Sequence, residues 1–405
     1  MRSSQGKRVA PFILLAAICL VFHGVDRPSS RLRSTRLAFF VHNQQRNPRA
    51  HKLADPRVAI CLVGGARAFE ITGPSIVDQI LHVYGNNSDV FLHAPLDENT
   101  YKLFLLGRGA RSNRNSSSSR LAAARIFDQT PIPELDFRKQ VLTSDGIQGL
   151  LQYFNLVEGC WDLITKHERR HGFQYDWIVR TRLDGYWSAP MPPISTFDGA
   201  HYTIPYGSQF GGLNDRLGIG TRNSSRIALH RLQCLDRLHA NGFQRLNSER
   251  AFKAQLQITH TSVQLKKFPF CVVSAKKYDW PPREWGVPVM TMASKGPLNG
   301  AKCRPCRAKI RGEEAHAIAE ALNRGWSWSG PNEGVELCDA TGDWDADWEA
   351  VYDNVVGQCS QLERLRVSRL GTLDECVERL TEFERMWGEW DAPSPVSICE
   401  RKFII

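Results

Sequence analysis

Short apolar runs alternate with helix-patterned stretches along this chain, and that alternation restricts it to an α/β fold around a mostly parallel sheet. The first run, VAICLV at 58–63, ends on Gly64 and Gly65. A helix-like stretch follows, with Ile76, Ile80 and Val83 on one face. A second strand is expected at 90–92. Between 144 and 171, the residues Ile147, Leu150, Leu151, Phe154, Val157, Trp161 and Ile164 recur at helical spacing. That helix feeds a further strand in YDWIVRTRLDGYWSAP at 175–190. A short strand in HYTIPY, helical segments near 227–238 and 248–256, and a strand near 270–273 complete the pattern. GRGARSNRNSSSSR, at 107–120, reads as a low-complexity loop.

Charge excludes one class of partner. The formal net charge is +10. Residues 1–54 hold ten Lys or Arg against a single acid, Asp26, so the remainder carries a net of only +1. No nucleic-acid footprint is indicated. The N-terminal segment itself reads as targeting. Arg2, Lys7 and Arg8 precede an apolar run at 9–22, and no good small-x-small cleavage site follows it. An uncleaved signal anchor is expected, with a transit peptide as the rival. Residues 26–56 are polar and basic, as in a stem.

Of the eleven cysteines, Cys19 lies in the apolar run and six follow residue 300. In an oxidising compartment this clustering reads as disulfides, whose pairing the sequence leaves open. Sequons at Asn86, Asn115 and Asn223 agree with a secretory route. Cys303 and Cys306 form C-R-P-C without the second close pair that zinc requires. Residues 301–405 carry 20 acids and 13 bases and read as a smaller, α-rich, cysteine-rich appendage.

Ligands of open α/β sheets bind beyond the carboxyl ends of strands. Gly64, Gly65 and Arg67 follow the first strand, where they either contact a nucleotide or make a tight turn. Arg180, Arg182 and Asp184 stand in R-x-R-x-D spacing, on one side of their strand by alternation. Three buried charges need partners. Asp184 is therefore a candidate holder of Mn²⁺ or Mg²⁺ bridging two phosphates, and the arginines are candidate pyrophosphate ligands. The rival is an internal Arg–Asp ion pair. In GGLNDRLGIG, 211–220, Asp215 is a candidate general base or sugar-orienting group, or else part of an Asx turn. Glu249 is a catalytic candidate or a first-turn acid favoured by the helix dipole. Asp343, Asp345 and Asp347 form literal D-x-D triplets, but Trp344, Trp348, Val351 and Val355 make a helical stripe beside them, so a solvated acidic face is expected. The G-x-S-x-G, H-E-x-x-H and P-loop motifs are absent.

VAICLVGGARAFEITGPSIVDQIL, YDWIVRTRLDGYW, GGLNDRLGIG and the C-terminal RGWSWSG and VELCDATGDWDADWEAVYDNVVG together resemble an uncharacterised plant family of type II membrane proteins described as glycosyltransferase-like. The likeness runs from about residue 58 to the C-terminus. R-x-R-x-D followed by N-D-R-x-x-I-G is also similar to a pattern of GT-A-type sugar transferases, in which one strand-end Asp replaces D-x-D. The resemblance implies that Asp184 serves the metal or the nucleotide sugar, and Asp215 the sugar or the acceptor. With one Asp for two, Arg180 or Arg182 is the alternative neutraliser of the leaving diphosphate. The expected protein is a Golgi single-pass type II membrane protein: tail 1–8, signal anchor 9–25, stem 26–56, GT-A/Rossmann-like domain 57–300 and cysteine-rich region 301–405. Its expected partners are a nucleotide-sugar donor, a glycan or glycoprotein acceptor and the membrane. A non-catalytic lumenal binding or scaffold protein is the second reading. A Rossmann methyltransferase, suggested by the glycines after the first strand alone, is the third.

Overall fold

The fold is that of a computed structural model, which describes residues 55–110, 119–279, 286–322 and 334–403. The expected tail and anchor, most of the stem, and the sequon at Asn115 lie outside the described residues, as does the side chain of Asn86. Among the described residues no helix is long and apolar enough to cross a membrane.

The unbroken apolar run of β1 (Val58–Val63) follows from burial on both faces. Val58, Ile60 and Leu62 pack with Phe69 and Ile76 of α1 (Phe69–Ile76). Ala59, Cys61 and Val63 pack with Val157, Cys160 and Ile164 of α2 (Ile147–His171) on the other face. The expected helix is thus α2, framed by Gly146 and Gly172 in left-handed conformations. A disulfide between Cys61 and Cys160 straps it to β1.

The other strands are β2 (Ser88–Pro95), β3 (Arg120–Phe127), β4 (Trp177–Arg182), β5 (Gly185–Trp187), β6 (Tyr202–Pro205), β7 (Leu217–Thr221), β8 (Val263–Lys266), β9 (Phe270–Val273), β10 (Pro288–Thr291), β11 (Lys302–Arg304), β12 (Leu337–Asp339) and β13 (Glu389–Asp391). Among the described residues they form an eight-stranded sheet, β13-β3-β2-β1-β4-β7-β6-β8, and a five-stranded sheet, β12-β10-β11-β9-β5. From β13 to β4 every pairing in the larger sheet is parallel, so the expected mostly parallel architecture holds. β7 runs antiparallel to both of its neighbours. The chain steps outward from β1 to β2 and β3, then returns to place β4 on the other side of β1. That reversal marks a topological switch point, where such sheets bind ligands.

Only Leu183 and Asp184 separate β4 from β5, so the larger sheet passes directly into the smaller. The Asp184 carbonyl accepts from the Val273 amide at 2.9 Å, and Gly185 pairs with Val272.

The expected division at residue 300 is not found. β11 and β12 complete the smaller sheet, and β13 extends the larger one beside β3. Asp55–Ile405 forms one unit. The physical reason is strand pairing across the supposed boundary, reinforced by the disulfide Cys271–Cys303. Cys306–Cys338 and Cys376–Cys399 are also bridged, so five of the six cysteines after residue 300 are oxidised, as expected. The two cysteines of C-R-P-C have different partners, which removes any local redox pair.

Candidate functional site

A cavity of about 990 Å³ opens beyond the carboxyl ends of β1, β2 and β4. Gly64, Gly65 and Arg67 line it after β1, Leu96 and Asp97 after β2, and Arg182 and Asp184 at the end of β4. Lys302 of β11, Ser274, Lys276 and Tyr278 after β9, and Trp344 after β12 also line it. Gly64 has φ of +111°, which favours glycine, so the turn after β1 demands the residue found there. A Cβ on Gly65 would lie 3.0 Å from Asp97 Oδ2, so the backbone passes close to that carboxylate.

Arg182 and Asp184 form a two-toothed pair: Nε donates to Oδ1 at 2.7 Å and Nη2 to Oδ2 at 2.6 Å. Their side chains are 31% and 24% exposed, so the pair is a wall of the cavity rather than a core ion pair. Burial opposes the Arg182 charge, but the Asp184 field and hydrogen bonds outweigh it and hold the guanidinium above its ordinary value. The guanidinium also lies 5.7 Å from the ring centre of Tyr153, which lines the same cavity.

Arg180 and Asp215 are placed elsewhere. Arg180 is 1% exposed; Nη2 donates to the Asp215 carbonyl, and Nη1 to the Tyr153 hydroxyl at 3.3 Å. It sits two residues farther from the strand end than Arg182, where Tyr153 and the 214–216 loop cover it. The Asp215 carboxylate accepts from the Ser248 hydroxyl at 2.5 Å and faces Arg231 at 3.6 Å. Burial raises its pKa, but Arg231, Arg180 and the Ser248 hydrogen bond together hold it below the ordinary value. An ionised, buried, engaged carboxylate is a structural anchor. The rest of the loop is likewise held in place: Asn214 donates to the Asn299 carbonyl at 2.9 Å, and Arg216 to that of Gly300.

Glu249 lies in the first turn of α3 (Ser248–Ile258), half-buried and outside the cavity lining. A helix dipole would depress its pKa. Instead burial, then the Asp215 carboxylate, push it up to about 7. Lys302 is pushed down to about 7 by burial and then by Arg216. Its ammonium lies 4.4 Å from the centre of the Tyr278 ring.

Asp343, Asp345 and Asp347 do not converge on a site. Asp343 pairs with Lys277 at 2.7 Å, Asp345 accepts from the Arg307 amide, and Asp347 pairs with the Arg307 guanidinium. The expected helix begins only at Trp348, so Trp344 and the three acids stand in the loop before it rather than on a helical face, although Asp343 and Asp347 are solvated.

A divalent cation at Asp184 fits poorly. Both carboxylate oxygens already accept from Arg182, and Lys302 and Lys276 share the cavity lining. Among the described residues no group of three or more His, Cys, Asp and Glu side chains converges to hold a metal.

Sequence reasoning missed Asp97, Tyr153, Lys276, Lys302 and Trp344. Asp97 was within reach, since it follows the second strand at the same sheet edge as Gly64. Burial raises its pKa. Lys302 and Lys276 carry no local signal; only the second sheet brings them in.

The cavity thus lies at the carboxyl edge of the parallel strands of an α/β sheet, the edge at which open sheets of this class bind ligands. Within that class it belongs to the family defined by DUF7796, a domain of unknown function that matches residues 53–404. No curated protein matches the chain in sequence. Among solved structures, apo mouse xyloside xylosyltransferase 1 is similar over 52% of this chain and 85% of its own, at 10% identity and a TM-score of 0.33. At that score the likeness fixes neither fold nor activity.

Proposed function

We propose that the cavity binds a nucleotide-diphosphate sugar and that the protein transfers the sugar to a hydroxyl of a glycan or glycoprotein. The observation that carries this reading is the cavity at the switch point, with glycines after β1 and a guanidinium–carboxylate pair at the end of β4. Its volume suits a nucleotide-sized ligand. Asp97, beyond β2, stands where the acid of a dinucleotide-binding sheet takes the ribose hydroxyls. The sequence resemblance to GT-A-type transferases adds the sugar.

In the reaction the acceptor oxygen bonds to the anomeric carbon while the carbon–oxygen bond to the diphosphate breaks. The electron pair leaves with the diphosphate, and the acceptor proton passes to a carboxylate of the wall. The protein's part is to stabilise the charge that develops on the leaving group and to hold both substrates in line. We place the enzyme in the Golgi membrane, anchored by the apolar run at 9–22, with its folded region in the lumen. Carbonate extraction tests the anchor: the full-length chain stays with the membranes, whereas a soluble product starting near residue 25 contradicts it.

The activity is tested by incubating the full chain with a panel of UDP-, GDP- and CMP-sugars and following nucleotide release. Release from one donor, increased by a glycan acceptor, is expected. Saturable ligand binding without turnover of any donor would favour a lumenal binding protein instead.

A further inference from the structure

We propose that Lys302 of the smaller sheet and Lys276 just after β9, together with Arg182, bind the ligand's diphosphate directly and take the place of a divalent cation. This inference rests on the reading of the cavity as a nucleotide-diphosphate site.

Geometry brings the three together. Gly185 of β5 pairs with Val272 of β9, and Val272 pairs with Lys302 of β11. Lys302 is therefore two strands across from the Arg182–Asp184 corner, on the order of 10 Å at the usual strand spacing. A diphosphate spans much of that gap. Lys276 comes from the segment just after β9 and lines the same cavity. One wall thus carries an arginine fork, which can serve a carboxylate and a phosphate together, and two ammonium groups.

Electrostatics points the same way. The strongest fields at Lys302 are the repulsions of Arg216 before β7, Lys276 and Arg182 and the attraction of Glu249 of α3. The rings of Tyr278 and Phe210 also lie near its ammonium. Arg216, Lys276 and Arg182 thus repel the Lys302 ammonium. A divalent cation on Asp184 would add to the repulsion and compete with Arg182 for both carboxylate oxygens. A diphosphate relieves the repulsion. It also favours a protonated Lys302, so binding near neutral pH takes up a proton.

The test is isothermal titration of the full chain with pyrophosphate, UDP and uridine. Each is run in EDTA and then in Mn²⁺, at pH 7, in two buffers of different ionisation heat. UDP is expected to bind in EDTA, with an affinity that Mn²⁺ changes by less than about threefold, and with net proton uptake. Lys302→Met is expected to abolish the uptake and weaken UDP at least about tenfold, the scale of a charged hydrogen bond. Lys302→Arg, charged at every pH, is expected to keep the affinity and lose the uptake. UDP binding that requires Mn²⁺, or that is indifferent to Lys302→Met in a folded protein, overturns the inference and leaves the nucleotide reading intact. Pyrophosphate binding in EDTA as tightly as UDP supports the anion wall but removes the nucleotide reading. Failure of both ligands to bind overturns both.

Discussion

Arg182 and Asp184 are partly exposed, and exposed ion pairs contribute little to folding. Asp184→Asn is therefore expected to lower stability by less than about 1 kcal/mol in urea melts. It should still weaken nucleotide binding, because Arg182 loses the partner that fixes its fork. A loss of several kcal/mol with binding unchanged would return the pair to a purely structural role. Glu249 and Lys302 add a pH signature. Glu249 titrates near 7 in the fold against an ordinary 4.5. Between those values the unfolded chain has released a proton that the fold keeps, so stability falls as pH rises through that window. Lys302 titrates near 7 against an ordinary 10.5. Between those values the unfolded chain holds a proton that the fold lacks, so stability rises with pH. Lys302→Met should remove the alkaline rise from a pH series of melts, and an unchanged series would contradict the assignment. The strand-end rule pointed from sequence to Gly64, Gly65, Arg67, Arg182 and Asp184, which line the cavity. It could not separate Arg180 from Arg182, because alternation gives the side of a strand and not the depth beneath its neighbours.

The long apolar and amphipathic elements, β1 and α2, were legible because each carries its own periodicity. β7 was not. Its Gly218 and Gly220 make it read as loop, yet they are there to admit Tyr202, whose ring atoms would lie within 2.5 Å of a Cβ at either position. β10 to β13 are three or four residues long and exist through pairing with distant strands, which no local pattern announces. The contact of α2 with the sheet makes a sharper prediction. A Cβ on Gly159 would lie 2.0 Å from the ring of His93, which is buried and held by the Leu156 carbonyl at 2.9 Å. Gly159→Ala is expected to cost about 1–3 kcal/mol through overpacking. Replacing Cys61 and Cys160 with serine should cost about 2–5 kcal/mol. Chemical denaturation measures both, and neutral values would mean that α2 does not lie where it is described.

At the scale of the whole molecule, composition changed after residue 300 without a structural boundary there. Clustered cysteines and acids suggested an appendage, but pairing of β11 with β9 and of β13 with β3 depends on residues far apart in sequence. A chain truncated after residue 300 is expected to be insoluble or unfolded, since it loses strands from both sheets and the partner of Cys271. A soluble, cooperatively folding truncation would restore the two-part reading. The smaller sheet is also what carries Lys302, Lys276 and Tyr278 to the cavity, so the site requires residues on both sides of that supposed boundary. The central claim, that a nucleoside diphosphate lies along the carboxyl edge of β1, β2 and β4, is tested most directly by photo-crosslinking. The full chain is irradiated with 5-azido-UDP or 8-azido-GDP, and the labelled peptides are mapped by mass spectrometry. The account predicts labelling of the segments after β1 and β2, around Arg67 and Asp97, and its loss when the matching unmodified nucleoside diphosphate competes. Labelling confined to the separate open groove lined by Lys253, Gln257 and His260, or labelling that no competitor reduces, would contradict it.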